Sequence, residues 1–156
     1  MWRPRPKARS TNPPPPAEWS EAQALATLEI TREEFSVVNG NAQGYASRGR
    51  SVAASPVALL PHKTLFHEIA HILLGHTEGG NWTDSETISR NLQEVEAESV
   101  ALLCCPSLGL AGAEYSRGYI QHWLSGEEIP ERSARRIFTA ADRILKAGSA
   151  PVEDCR

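Results

Sequence analysis

The segment His67-Glu68-Ile69-Ala70-His71 puts three polar side chains inside a stretch that is otherwise almost wholly apolar. From Pro61 to Gly75 the positions Leu65, Phe66, Ile69, Ala70, Ile72, Leu73 and Leu74 cover nearly the full circumference of a helix, and Pro61 suits a first helical turn. The pattern predicts a buried helix. Imidazoles and a carboxylate in such a helix need partners, so a dry core without a cation is costly. Residues i and i+4 share a face one turn apart, so His67 and His71 can reach one ion, while Glu68 points about 100° away, toward where water on that ion would sit. With the five histidines of this chain, chance gives roughly 0.02 matches to this pattern. The expectation is a bound zinc ion, one per chain.

A catalytic zinc takes three protein ligands and leaves a fourth position open. His76, His62 and the acids of the next helix are the candidates for the third. His76 lies five residues beyond His71, about 140° round a continued helix, and Leu74-Gly75 suggests an ending there. The segment from Leu92 to Ala101 is richer, because Glu94 and Glu98 are i and i+4 on one face and Glu96 points to the other. Ala97, Val100, Ala101, Leu102 and Leu103 make that helix largely buried, so its acids want a cation. The division of labour expected is Glu94 on the metal and Glu98 accepting the free ring N–H of a ligating histidine, with Glu98 the next choice as ligand.

Around this pair the chain reads as α+β with helices dominating. A short helix is expected near 20–29, with Ser20 as its cap, then two short strands, Phe35–Val38 and Arg50–Ala54, about a turn at Asn39-Gly40-Asn41. A polar loop over 75–86 leads, through Asp84 or Ser85 as N-cap, to the ligand helix of about 86–105, which Pro106 and Gly109 end. Further helices are expected over about 112–125 and from Pro130 to Gly148, the last showing Ala134, Ile137, Phe138, Ala141, Ile144 and Leu145 at helical spacing.

The three cysteines, Cys104, Cys105 and Cys155, are an odd number without a C-x-x-C spacing, which excludes a disulfide-stapled fold and points to a reducing cytoplasm. Cys104 and Cys105 read as small buried hydrophobes, since neighbours on a helix diverge by about 100°. No apolar run approaches the ~18 residues of a membrane span, and prolines stand where an export signal would need an apolar core. Arg3, Arg5, Lys7 and Arg9 stand without an acid in residues 1–16, leaving twelve bases against nineteen acids for the rest. Residues 1–17 therefore read as a disordered, basic, proline-rich arm, 18–148 as one domain and 149–156 as a flexible tail. Any nucleic-acid contact is expected to be weak and confined to residues 1–16.

The run HEIAHILLGH, followed by E-x-x-A-E at Glu94 to Glu98, resembles the gluzincin side of the zincin metallopeptidases. More narrowly it is similar to the ImmA/IrrE-type peptidases and to the C-terminal metallopeptidase-like domain of ArdC-type antirestriction proteins. Asn39 to Ala46, Leu60 to Thr64, and Tyr119-Ile120 with Trp123-Leu124 agree with that pattern, so the likeness covers about residues 30–147. It implies a zincin-like fold with an active-site helix, a ligand helix and a small twisted sheet whose edge strand, here 50–55, lines the cleft. It also implies His67, His71 and Glu94 as ligands and Glu68 as general base in peptide-bond hydrolysis. The DNA-binding domain of ArdC-type proteins has no counterpart in the roughly 30 residues ahead, so DNA binding is not carried over. Tyr119 or His122 would serve as donor to the oxyanion. A peptide or protein substrate is implied, by analogy a regulatory protein. The alternative expectation is a non-catalytic, zinc-stabilised binding module of antirestriction or mobile-element origin, and Glu68 separates the two because a purely structural site does not need it.

Overall fold

A computed structural model describes residues 18–36, 42–78 and 89–149. The basic arm, the turn at Asn39-Gly40-Asn41, Asp84, Ser85 and Cys155 lie outside the described residues. The elements run α1 (Glu21–Thr27), β1 (Thr31–Arg32), β2 (Gly44–Ser47), β3 (Ser51–Ala54), α2 (Pro61–Leu73), α3 (Arg90–Ser107), α4 (Ala113–Leu124) and α5 (Glu131–Gly148). This is a helix-dominated α+β architecture with one small sheet.

The helices begin and end for local reasons. Ser20 caps α1 by accepting from Gln23 N–H. Ser89, not Asp84 or Ser85, caps α3 by accepting from Leu92 N–H. Pro106 lies within the last turn of α3 rather than beyond it, and left-handed Gly109 then turns the chain. Ser125 and Gly126, both left-handed, end α4.

The sheet differs most from expectation. Phe35 and Ser36 lie outside any strand, and Val37 and Val38 fall outside the described residues. The strand order is β1-β3-β2, with β1 parallel and β2 antiparallel to β3. The segment expected at the edge, 50–55, is thus the buried central strand, and β2 is the edge. The sequence 51–54 (SVAA) has small residues on both faces, which suits a strand covered on both sides.

α3 packs against α2, α4 and α5 and is the axis of the core. Phe66, Ile69, Val100, Ala101, Cys104 and Ile144 form its centre and are inaccessible to water. Cys104 and Cys105 are indeed buried free thiols, and burial pushes them up to about 12 and about 11. On α5 the stripe Ile137, Ala140, Ala141, Ile144 and Ala147 faces inward, but Phe138, grouped with it by helical spacing, is 64% exposed because it lies about 100° round from Ile137. Trp19 closes the structure: its indole N–H donates to Ile144 O at 3.0 Å and its ring meets Phe66 edge-on at 5.1 Å. No helix among the described residues is long and apolar enough to cross a membrane.

Candidate metal centre

α2 crosses beneath β2 and beside α3, and its polar face opens into a cleft of about 740 Å³. The apolar positions of α2 bury Leu65, Phe66, Ile69, Ala70 and Ile72 in the core, which leaves His67, Glu68 and His71 facing the cleft, half-buried. Across from them α3 presents Glu94 and Glu98.

His67, His71 and Glu94 converge. The two Nε2 atoms lie 3.0 Å apart, His67 Nε2 is 3.2 Å from Glu94 Oε2, and His71 Nε2 is 3.5 Å from Glu94 Oε1. A tetrahedral ion with bonds of 2.0–2.1 Å separates its ligand atoms by about 3.3 Å, so one ion fits this triangle with little movement. Two imidazoles and one carboxylate are also a donor set that zinc accepts.

The charges around the triangle ask for a cation. Burial alone would depress His67, but hydrogen bonds to Glu94 and Glu98 overcome it and push the imidazole up to about 9. His71 is held down at about 4 by burial and by the charge on His67. Glu94 is lowered, first by its hydrogen bond to His67. Glu98 stays charged despite burial, at about 2, because His67 donates to it and Lys63 pairs with it. A proton on His67 therefore takes the place that a metal ion would fill.

Glu98 stands where the sequence puts it, behind a ligand: its Oε2 accepts from His67 Nδ1–H at 2.8 Å. Lys63, which sequence reasoning passed over, completes this side with Nζ 2.5 Å from Glu98 Oε1 and 5.1 Å from the centre of the Tyr119 ring. Glu68 takes no part in the triangle and lines the same cleft; burial pushes it up to about 7, the charge of His67 opposing and those of Glu94 and Glu98 assisting.

The cleft walls are β2 and α4. Gly44, Tyr45 and Ala46 form one side, and Tyr115, Tyr119 and Trp123 the other. Tyr119 thus reaches the cleft, whereas His122 is exposed, does not line it, and lies against Trp123 with ring centres 5.7 Å apart. The i, i+4 stripe 115, 119, 123 lines the open cleft, and His122 sits about 60° round from Tyr119, off that stripe. His62 is exposed at the start of α2, away from the triangle.

His76 was the residue least well placed by helical geometry. The helix ends in a Schellman turn: Gly75, at φ 75°, donates to Ile72 O and His76 N–H donates to His71 O at 2.9 Å. That turn folds His76 back over His71 instead of 140° away from it. Glu96 points away from the triangle, as expected, yet it is fully buried and pairs with His76. The signal for His76 was Gly75, which marks the residue after it as one that returns to the helix; Glu96 carried no such signal.

No protein-family model, no curated protein and no solved structure matches this chain.

Proposed function

We propose that this chain is a zinc-dependent metallopeptidase that cleaves an internal peptide bond of a protein substrate. The observation that carries the reading is the His67, His71 and Glu94 triangle in an open cleft, with the carboxyl of Glu68 beside it and outside it. A site that only braced the fold would be closed and would have no use for Glu68.

When bound, the ion supplies a Lewis acid that makes water nucleophilic near neutral pH and polarises the scissile carbonyl. His67, His71 and Glu94 hold it. Glu98, kept charged by Lys63, orients His67. Glu68 takes the proton of the attacking water and returns it to the leaving amine. The Tyr119 hydroxyl, on the cleft wall, donates to the developing oxyanion. The edge of β2, unpaired among the described residues, accepts an extended peptide as an added strand, which suits a segment of a regulatory protein.

Metal content by mass spectrometry, on the wild type and on Glu94→Gln and Glu98→Gln, tests this. The expected result is one zinc per chain, lost in Glu94→Gln and retained more weakly in Glu98→Gln. A wild type that takes up no metal after reconstitution overturns the reading.

A further inference from the structure

The two histidines of α2 are held from behind in different ways. His67 meets a carboxylate directly, Glu98. Among the described residues His71 meets no acid at its Nδ1, which lies 2.9 Å from Nδ1 of His76. The Nε2 of His76 in turn lies 2.7 Å from Glu96 Oε2. The side chains of His76 and Glu96 are 3% and 0% exposed. Arg136 closes the row, with Nη1 3.6 Å from Glu96 Oε1 and Nη2 donating to Leu74 O. Such a buried row, spanning α2, α3 and α5, is costly unless each member is satisfied.

The neighbours in this row constrain where its protons lie. A carboxylate only accepts, so His76 carries its hydrogen on Nε2 and donates to Glu96. With His76 uncharged, its Nδ1 holds a lone pair, and the Nδ1 to Nδ1 contact places its one hydrogen on His71. His71 with its hydrogen on Nδ1 has its lone pair on Nε2, the atom that faces His67 and Glu94.

We propose that His76 is a positioning residue which, backed by Glu96, fixes His71 in the tautomer and ring orientation that a metal ion requires. Its contact with His71 replaces the apolar contact that usually accompanies a Schellman turn. The proposal rests on the reading of His67, His71 and Glu94 as metal ligands, and concerns a partner of His71 outside that set. Removing such a partner costs about 10-fold to 100-fold in metal affinity.

The test is zinc affinity, by competition with a chromophoric chelator, on the wild type, His76→Leu and His76→Gln, with long-range ¹H–¹⁵N spectra of the histidine rings of the wild type. The expected result is a loss of about 10-fold to 100-fold in His76→Leu and recovery of most of it in His76→Gln. Glutamine can rescue because its carbonyl accepts from His71 while its amide donates to Glu96. A role in stability alone predicts no such rescue by hydrogen-bonding pattern. The wild-type spectra should show His71 with its hydrogen on Nδ1, which decides the matter even where His76→Leu does not fold. Hydrogen on Nε2 of His71 in the metal-free protein, or equal affinity in His76→Leu and the wild type, overturns the proposal and leaves the metal centre standing. A wild type that takes up no zinc overturns both.

Discussion

A Cβ placed on Gly44 would come 3.1 Å from Cγ of Glu68, 2.7 Å from Cγ2 of Thr64 and 2.8 Å from the carbonyl oxygen of Ala53. The edge strand therefore rests on the side chain of the one acid in α2, and only a residue without a Cβ allows that approach.

Gly44→Ala should consequently move β2 or Glu68. The contact with the Ala53 carbonyl is with backbone, which yields less easily than a side-chain end. A shift of about 1 Å at a general base costs on the order of 100-fold in rate. The expected outcome is a fall of that size in hydrolysis of a denatured protein substrate with zinc content unchanged. An unchanged rate would mean that β2 yields instead and Glu68 keeps its place.

Glu68→Gln and Glu94→Gln should separate chemistry from metal binding. Glu68 is not in the ligand triangle, so its amide should keep the zinc and lose about 10²- to 10⁴-fold in activity. Glu94→Gln should lose both. Activity that survives in Glu68→Gln would remove Glu68 as the base, whereas a wild type that binds zinc and hydrolyses nothing would favour the binding-module reading over the peptidase. Metal analysis and a digestion assay on the same preparations check this.

The proton on His67 predicts an alkaline trend. Its pKa is raised from 6.5 to about 9, so in chelator-treated protein its stabilisation is complete below 6.5 and is lost as pH rises through about 9. Glu68, raised to about 7, acts in the same direction over a lower range. Zinc must displace the His67 proton, so its apparent affinity should rise about tenfold per pH unit up to about 9. Melting curves with and without zinc should therefore draw apart as pH increases from 6.5 to about 9.

Gly148→Ala tests the closure of the fold far from the cleft. Glycine to alanine within a helix ordinarily stabilises by about 1 kcal/mol. Here the new Cβ would meet the Trp19 ring, leaving no room for it unless the indole gives up its contacts with Ile144 O and Phe66. Overpacking of this kind costs about 1–3 kcal/mol, so net destabilisation is expected. Urea unfolding measures it, and a more stable variant would show that Trp19 moves without cost.

Much of the site was legible in the order of residues. The phase of His67 against His71, and of Glu94 against Glu98, is set by 3.6 residues per turn within one helix, and no neighbour can change it. The apolar stripes of α2 and α5 foretold which faces are buried, apart from Phe138. Burial of Cys104 and Cys105 followed in the same way.

Relations between elements were not legible. Glu94 was expected on the metal from the order of the two acids and from the resemblance, but the distances at which it meets His67 and His71 depend on the rotation and offset at which α3 packs against α2, a property of interdigitating side chains rather than of either helix. The identity of β2 as the edge strand depends on β1 pairing with β3 from the far side, a contact between segments that neither contains in its own pattern. His76 shows the boundary most clearly. Its distance from His71 in sequence is local, but Glu96 and Arg136, which make its burial tolerable, arrive on two other helices. Sequence alone determined the helices and the directions of side chains on each; tertiary packing decided which of those directions meet, because contact energy is a property of two surfaces and periodicity a property of one.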